Sequence, residues 1–337
     1  MRIALDAMGT DRHPAVEVAG AVQALRDLPG AFELLLVGDS ARIEAELARH
    51  EYPTGRLHIV HAADVIEPGE PAVTAVRRKP GSSIVVGLRL AKDGEADAFV
   101  SAGSTGAVMA ASLFLFKAVR GVDRPAIGTI LPTTVQPCLL IDAGANVDCK
   151  PQHLLQFARL GSIYVEDVWQ RPNPRVGLLN IGEEPEKGDE LTVEAHRLLR
   201  ESDMNFVGNI EGRDVIRGTC DVLVADGFVG NVLLKFYESI MGFMHGMLTT
   251  EFAHTDAAGD LDRVFRVFDY TEYGGAPLLG VNGVTIICHG GSPPRAVCNA
   301  IRVAVQSVEA RLVGHIERAV AGSAAAGNGR GPDTEGG

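Results

Sequence analysis

The sequence predicts a parallel α/β fold. Short runs of aliphatic and β-branched residues alternate with longer amphipathic stretches along the chain, and this alternation is typical of the βα units that build a parallel sheet. Runs such as CLLID, RVGLLNI and CDVLVAD are continuously apolar, as expected of strands covered by helices on both faces. Glycine-rich or polar turns follow them, where ligands bind in such sheets. The predicted strands are residues 2–5, 32–37, 57–60, 98–101, 126–131, 138–141, 175–180, 205–208, 221–224 and 284–288. The predicted helices are residues 14–27, 41–49, 83–92, 105–119, 151–169, 190–200 and 293–310.

Length and composition indicate a folded globular protein. A chain of 337 residues can form two domains or one large α/β unit. Its 46% hydrophobic and 22% charged residues exclude an intrinsically disordered or fibrous chain. The 31 Lys and Arg against 43 Asp and Glu give a net charge of -12, which disfavours nucleic acid as a partner. A bound phosphate therefore needs backbone dipoles and a few local cations.

The cysteines and the apolar runs indicate the cellular compartment of the protein. Five cysteines without C-x-x-C spacing predict neither a disulfide framework nor a zinc knuckle. No metal is assigned and no cofactor is expected. The first residues lack the apolar stretch of a signal peptide, and no run reaches the ~18 apolar residues of a spanning helix. We expect a cytoplasmic protein, and surface association with a membrane stays open.

One segment departs from the alternation of strands and helices. Residues 231–270 show only two helical stretches rich in Phe, Met and Leu, so we predict a helical insertion within a single domain of residues 1–320. Its apolar side either packs against the core or a second subunit, or meets lipid or an acyl chain. That side comprises Phe236, Ile240, Phe243, Met244 and Met247. Residues 321–337 are small, polar and glycine-rich, and are predicted to be a disordered tail.

The turn SAGSTGA has the clearest anion-binding pattern. It ends a strand and begins an apolar helix, and the first helical N–H groups can donate to a phosphate together with the hydroxyls of Ser101, Ser104 and Thr105. Gly103 and Gly106 turn the chain there. The turn is neither a P-loop nor a dinucleotide fingerprint, because G-x-x-x-x-G-K-[ST] and G-x-G-x-x-G are absent from the sequence.

Two further turns have a similar composition. DAMGTD, residues 6–11, either lets the backbone approach a ligand or is an ordinary turn capped by aspartates. IDAGANVDCKP, residues 141–151, crowds Asp142, Asn146 and Asp148 together. One loop supplies too few oxygen ligands for a divalent cation, so a turn with internal hydrogen bonds is the favoured interpretation.

Three other loops carry candidate polar side chains. Lys187 is the single cation among five carboxylates in NIGEEPEKGDE, and is either part of a solvated charge run or a point charge for phosphate or an oxyanion. Asn231 follows ADGFVG at the start of a long helix, where its amide can donate to a carbonyl oxygen. HGGSPPRAV places His289 and Ser292 in another strand-to-helix turn, although a lone histidine is more often structural.

Seven segments together resemble the phosphate acyltransferase family of bacterial lipid synthesis, in order and spacing over residues 1–315: DAMGTD, RRKPGSSIVVGLRL, SAGSTGAVMA, LIDAGANVDCKP, LLNIGEEPEKGDELT, ADGFVGNVLLK and HGGSPPRAVCNAIR. The resemblance implies a three-layer α/β/α sandwich with a mostly parallel sheet, similar to phosphotransacetylases and isopropylmalate dehydrogenases. It implies transfer of a fatty acyl group from acyl carrier protein to inorganic phosphate, giving acyl phosphate for phospholipid synthesis and for a downstream glycerol-3-phosphate acyltransferase. It also implies a homodimer bound peripherally at the membrane.

By this resemblance Lys187 and Asn231 are the catalytic residues. Lys187 is assigned to phosphate or oxyanion charge and Asn231 to polarisation of the carbonyl. Phosphate is a competent nucleophile and a thiolate leaves readily, so the site has only to align, desolvate and stabilise charge. We therefore expect both side chains in one dry pocket. Contacts to phosphate or pantetheine are assigned to Ser101, Gly103, Ser104, Thr105, Gly106, Asp142, Asn146, His289 and Ser292.

The sequence departs from the usual family pattern in several turns. Thr10 stands where glycine is usual, Ser104 where asparagine is usual and Gly291 where serine is common; Pro80 and Gly81 replace Lys-Asp. Acyl carrier protein is acidic, so local cations have to dock it on a chain of negative net charge. The candidates are Arg77, Arg78, Lys79, Lys235, Arg263 and Arg266.

Two other functions remain as alternatives. A decarboxylating NAD-dependent dehydrogenase of the isopropylmalate type shares the predicted fold class, but it needs a divalent cation and a nicotinamide cofactor, and few arginines lie near the candidate turns to grip a dicarboxylate. A non-catalytic membrane scaffold would use the helical insertion and would tolerate the loss of Lys187.

Overall fold

One continuous sheet forms the centre of the molecule. The computed structural model describes residues 1–252 and 273–327, and within them eleven strands pair in the order β3-β2-β1-β4-β11-β10-β5-β6-β9-β7-β8. The strands are β1 Arg2–Asp6, β2 Glu33–Gly38, β3 Leu57–His61, β4 Ala98–Ser101, β5 Ala126–Leu131, β6 Cys138–Ile141, β7 Val176–Asn180, β8 Phe206–Glu211, β9 Val222–Val224, β10 Ala276–Leu279 and β11 Val284–Ile287. All ten predicted strands are present, and β10 was not predicted.

The sheet consists of two parallel blocks that run in opposite directions. β10 is antiparallel to both β11 and β5, and β5 is antiparallel to β6, whereas the other neighbouring pairs are parallel. The carboxyl ends of β1, β4 and β11 therefore lie at one end of the sheet, here called the β4 rim. Those of β6, β7 and β9 lie at the opposite end, the β6 rim. The candidate turns therefore lie at two opposite rims, which apolar periodicity could not predict because it does not encode strand direction.

Helices cover both faces of the sheet. They are α1 Ala15–Asp27, α2 Ser40–Leu47, α3 Ala72–Arg78, α4 Ser83–Lys92, α5 Thr105–Leu115, α6 Pro151–Asp167, α7 Glu190–Arg200, α8 Gly227–Phe252, α9 Pro294–Glu309 and α10 Leu312–Gly327. Side chains of α1, α2, α6, α7, α9 and α10 pack in one core, and those of α3, α4, α5 and α8 pack in the other. Successive strand residues alternate between the two cores, as Ile3 and Ala4 do in β1. The predicted three-layer sandwich is confirmed.

Several helix boundaries differ from the prediction. Helices α3 and α10 were not predicted. Helix α5 ends at Leu115 rather than at residue 119, because Lys117 adopts a left-handed conformation with a φ of 63°. Helix α10 extends to Gly327, seven residues into the segment expected to be disordered, and residues 328–337 lie outside the described residues.

Helix α8 crosses one face of the sheet from the β6 rim to the β4 rim. Near its start, the Gly227 N–H donates to the Asn146 carbonyl at 2.7 Å, beyond the end of β6. Ten residues, or about 15 Å, further on, the Tyr237 hydroxyl donates to the Pro132 carbonyl at 2.8 Å, just beyond the end of β5. At position 230 a Cβ would overlap the Asp142 carbonyl oxygen, so glycine alone lets the helix lie this close.

The apolar side of α8 is exposed in the single chain. The first predicted helical stretch of the insertion is present but begins at Gly227, four residues early; the second, DLDRVFRVFDY, lies outside the described residues. Packing of this side against the chain's own core was one of the interpretations, and the structure does not support it. No described helix is both long and apolar enough to cross a membrane. The exposed fractions are Phe236 65%, Ile240 38%, Phe243 65%, Met244 36% and Met247 48%.

The contact beneath Gly230 predicts a sharp difference between two glycines of α8. Replacing Gly230 by Ala should lower the free energy of unfolding by about 1–3 kcal/mol, because the new methyl group overlaps backbone. Gly242 has no heavy atom within 4 Å of a built Cβ, so Gly242→Ala should be neutral or stabilising by up to about 1 kcal/mol. Urea denaturation followed by circular dichroism measures both values. Equal effects would contradict the seating of α8 on the turn.

Candidate active site

Three turns meet at the β4 rim, following β1, β4 and β11. The Asp11 N–H donates to the Gly290 carbonyl at 2.9 Å, which ties the first turn to the third. At Gly9 a Cβ would lie 2.6 Å from the Gly103 nitrogen, so the first and second turns touch through backbone alone. The segments DAMGTD, SAGSTGA and HGGSPPRAV, which are far apart in sequence, therefore form one structural unit.

A buried carboxyl group supports the second of these turns. The Ser101 hydroxyl donates to Asp6 Oδ2 at 2.7 Å and accepts the Gly103 N–H at 3.0 Å. Asp6 also accepts the Met8 N–H at 3.0 Å. Burial raises the pKa of Asp6, while the Ser101 hydrogen bond opposes the rise. The Ser101 hydroxyl thus helps to shape the turn through both of its hydrogen bonds.

A second buried carboxyl group lies under the first turn. Glu17 has no exposed surface, and its Oε1 accepts the Thr10 N–H at 2.6 Å. Neither Glu17 Oε2 nor Thr10 Oγ1 has a hydrogen-bond partner among the described residues. Burial raises the pKa of Glu17 to about 7, and the bond from Thr10 opposes that rise. Thr10 is therefore held at this carboxyl group by its backbone N–H.

The turn after β6 is organised by Asp142. Its Oδ1 accepts the N–H groups of Ile127, Gly144 and Ala145, and its Oδ2 accepts both the N–H and the side-chain amide of Asn146, all at 2.7–3.2 Å. The Asn146 amide also donates to the Pro125 carbonyl at 2.9 Å. Burial raises the pKa of Asp142, and the N–H bonds oppose this. The favoured interpretation, a turn with internal hydrogen bonds, matches the structure.

A cavity of about 330 Å³ joins the two rims beneath α8. One molecule of liquid water takes up about 30 Å³. The cavity is therefore large enough to hold a phosphate together with an acyl carbonyl group. At the β6 rim, Asn231 lies over Gly144, whose built Cβ is 3.6 Å from the Asn231 side chain. Asn231 and Thr105 are exposed, so the cavity opens to solvent in the single chain and is not the dry pocket expected. Its lining comprises Thr105, Ile127, Thr129, Ile130, Ala143, Gly144, Asn231, Leu234, Lys235, Glu238, Gly274, Gly275, Ala276, Ile287, Cys288, His289, Ser292 and Ala296.

Charged side chains occupy the end of the cavity at the β4 rim. The Lys235 ammonium lies 2.8 Å from Glu238 Oε2 and 3.2 Å from His289 Nε2. His289 Nε2 is in turn 4.0 Å from Glu238 Oε1. An ammonium group has only donors, so a charged Lys235 requires Nε2 to accept. Lys235 was predicted only as a docking residue and Glu238 was not singled out, yet Asn231, Lys235 and Glu238 have the i, i+4, i+7 spacing of one helix face.

Lys187 is not among the residues that line this cavity. It is exposed and has no carboxylate within 4 Å among the described residues. Its carbonyl accepts the Asn180 amide at 2.9 Å, which ties its loop to the end of β7. Because β7 pairs with β9 and α8 follows β9, the loop emerges at the β6 rim on the same side as Asn231. The predicted convergence in one pocket is thus seen for Asn231 and not for Lys187.

The residues assigned to substrate contact fall into three groups. Thr105, His289 and Ser292 line the cavity. Ser104 is the N-cap of α5 without a capping side-chain bond, and the glycines on either side of it, Gly103 and Gly106, are likewise absent from the lining. The remaining three are bonded within their own turns: Ser101, Asp142 and Asn146.

Three of the four described cations proposed for docking an acidic partner already contact other groups of the chain. Lys79 contacts Glu70 Oε1 at 2.6 Å and the Val65 carbonyl at 2.8 Å. The Arg77 guanidinium lies 5.2 Å from the centre of the Phe114 ring. Arg78 is exposed. Arg263 and Arg266 lie outside the described residues, and Lys235 lines the cavity.

Known proteins are similar to this sequence over nearly its whole length. A family model described as "Fatty acid synthesis protein" matches residues 1–314. A phosphate acyltransferase of Desulforamulus reducens is 50% identical over 95% of this chain and 97% of its own. One of Heliobacterium modesticaldum is 50% identical over 96% and 98%. The chain belongs to the phosphate acyltransferase family.

This membership makes the protein an acyltransferase enzyme and favours neither a dehydrogenase nor an inactive scaffold. A phosphotransacetylase from Streptococcus pyogenes superposes with a TM-score of 0.62 at 17% identity, covering 92% of this chain and 94% of its own. At that identity the likeness concerns the fold alone, and it confirms the sandwich that the resemblance implied.

The buried Glu17 predicts a pH-dependent stability. Its pKa rises from 4.5 to about 7 on folding, so its contribution is fully present below pH 4.5 and is lost as the pH rises through about 7. Ionising it in the folded state costs about 3 kcal/mol. In Glu17→Gln this cost disappears. The free energy of unfolding of the variant minus that of the parent should therefore increase by about 3 kcal/mol between pH 4.5 and pH 8. Urea denaturation across this range measures the difference.

Glu190→Gln is the matched control, because Glu190 is exposed in the first turn of α7. Its free energy of unfolding should run parallel to that of the parent at every pH. A Glu17→Gln curve that also ran parallel would show that folding does not raise the pKa of Glu17.

Proposed function

We propose that this acyltransferase moves a fatty acyl group from acyl carrier protein to inorganic phosphate, forming acyl phosphate and free carrier protein for phospholipid synthesis. The observation that carries the proposal is a single cavity with an amide donor at one end, Asn231, and hydroxyl, imidazole and ammonium groups at the other. Such a cavity suits a thioester carbonyl beside an anionic nucleophile.

The reaction needs no covalent enzyme intermediate. A phosphate oxygen attacks the thioester carbon, the carbonyl becomes an oxyanion, and collapse of that oxyanion breaks the C–S bond. The products are a mixed carboxylic–phosphoric anhydride and a thiolate, which takes up a proton. Alignment and stabilisation of the oxyanion are therefore the main catalytic tasks.

The carbonyl side of the reaction is assigned to the β6 rim. The Asn231 amide there can donate to the carbonyl oxygen as negative charge develops. Lys187 is proposed as a second, mobile cation for that charge, since its loop emerges at the same rim and no carboxylate of residues 1–252 or 273–327 holds its ammonium. Leu234 and Ile127 supply apolar surface for the carbons next to the carbonyl.

The phosphate side is assigned to the β4 rim. The first N–H groups of an α-helix have no acceptor within the helix, and the start of α5 at Thr105 lines the cavity. Ser292, only 3% exposed, lines the same end. In this assignment Ser101, Asp142 and Asn146 position the two turns and do not contact phosphate.

The partners and location follow from the proposed reaction. Acyl carrier protein delivers the thioester, and a glycerol-3-phosphate acyltransferase consumes the acyl phosphate. We propose that the enzyme acts as a homodimer in the cytoplasm, peripherally bound to the membrane where its product is used. The exposed apolar side of α8 supports both a subunit contact and a lipid contact, because isolated proteins rarely expose such patches.

Replacing Asn231 by Ala tests the assignment of the carbonyl side. Purified enzyme is incubated with palmitoyl acyl carrier protein and labelled phosphate, and hydroxylamine-sensitive acyl phosphate is quantified. Loss of one oxyanion donor should lower kcat by roughly 100- to 1,000-fold. Asn205→Ala, at the start of the edge strand β8, should retain parental activity. If the parent enzyme consumed no thioester in the presence of phosphate, the proposed function itself would be wrong.

Charging the exposed side of α8 tests the membrane contact. Phe243→Glu together with Met247→Glu should abolish co-flotation with vesicles of bacterial phospholipid, because charged side chains cannot enter the apolar boundary. Glu251→Gln, near the end of the same helix, is the control and should float like the parent. Unchanged lipid binding by the double variant would remove this proposal.

A further inference from the structure

The inference concerns the cluster of Lys235, Glu238 and His289, and it rests on the proposed function. Lys235 is the only cationic lysine or arginine side chain among the described residues that line the cavity. It lies one helical turn after Asn231, so the two side chains share a face of α8, with about 6 Å of helix axis between them. The amide faces the β6 rim, and the ammonium reaches His289 at the β4 rim.

We propose that Lys235 is the catalytic residue that binds the phosphate nucleophile, and that Glu238 is the anion that phosphate displaces. The Glu238 carboxylate lies 2.8 Å from the Lys235 ammonium and balances its charge. A bound phosphate can supply the same negative charge. An ion pair between residues three positions apart on a helix, with Lys235 49% exposed, contributes little free energy and is readily exchanged for another anion.

The surroundings of the ammonium group fit a phosphate rather than a carboxylate side chain alone. A phosphate has several acceptor oxygens, and this end of the cavity offers donors from three elements: the start of α5 at Thr105, the Ser292 hydroxyl before α9, and Lys235 on α8. A phosphate bound among them lies on the side of the cavity opposite Asn231. The nucleophile and the carbonyl donor then flank the thioester carbon.

His289 acts on Lys235 and not on the substrate in this arrangement. Its Nε2 lies 3.2 Å from the ammonium and 4.0 Å from Glu238 Oε1. By accepting from Lys235, the imidazole keeps the ammonium directed to the β4 rim when Glu238 is displaced. His289 is therefore a positioning residue.

The test compares Lys235→Met with Lys92→Met, which removes an exposed lysine at the end of α4 far from the lining. Isothermal calorimetry with inorganic phosphate as the only ligand measures binding without turnover. Lys235→Met should bind phosphate roughly 10- to 100-fold more weakly than the parent, because a hydrogen bond to a charged group is lost. Lys92→Met should bind like the parent.

Kinetics separate binding from other effects. Lys235→Met should raise the KM for phosphate by a similar factor, Lys235→Arg should restore much of the loss, and Glu238→Gln should lower the KM below the parental value because the competing anion is gone. Circular dichroism confirms that each variant is folded. Equal phosphate binding by Lys235→Met and the parent, or no change of KM in Glu238→Gln, would overturn the inference.

The two proposals fail in distinguishable ways. A parent enzyme that binds phosphate through Lys235 but forms no acyl phosphate contradicts the proposed function and leaves the phosphate site standing. A parent enzyme that forms acyl phosphate while Lys235→Met is unimpaired contradicts only the assignment of Lys235.

Discussion

Antiparallel pairing in the middle of the sheet determines at which end of the sheet each candidate turn lies. β10 and the β5–β6 pair reverse the strand direction, so the two parallel blocks point their carboxyl ends to opposite rims. In an open parallel sheet, ligands gather at one rim. Here a ligand that uses both sets of turns has to lie across the sheet face. Helix α8 is the element that closes this space, because it starts at one rim and reaches the other within about ten residues.

Both rims are built in the same manner from buried aspartates. Asp6 ends β1 and Asp142 follows β6, and each accepts backbone N–H groups from the turn that comes after it. Burial raises both pKa values, and the hydrogen bonds counteract this by stabilising the charged form. The carboxylates thus serve as fixed anchors for glycine-rich backbone. The hydrogen-bonding capacity of these carboxylates is used within the turns. Outward-facing groups such as Thr105 and Asn231 are therefore the ones that can meet an anionic or carbonyl ligand.

The sequence alone predicted ten of the eleven described strands, most helices and several of the residues that line the cavity. Continuous apolar runs located ten strands, and the residue types at strand ends located Asn231, Thr105, His289 and Ser292. The short β10, with Pro277 among its four residues, has no pattern that sets it apart from a loop, and the reversal it helps to create was missed with it. The contact between Lys235 and His289 joins residues 54 positions apart and depends on the path of α8. Asp142 and Ser101 carry side chains of a type that binds ligands, and in the structure they form hydrogen bonds within the fold.

Beyond Tyr237, helix α8 continues for fifteen residues, none of them fully buried, although Met241 still packs against the core. The helix is anchored to the body of the chain at two points, the Asp142 turn and the Pro132 carbonyl. The second of these anchors lies next to Lys235 and Glu238 in the sequence of the helix. Since the same helix supplies Asn231, Lys235 and Glu238 to the cavity wall, a displacement of its outer half would change the shape of the cavity.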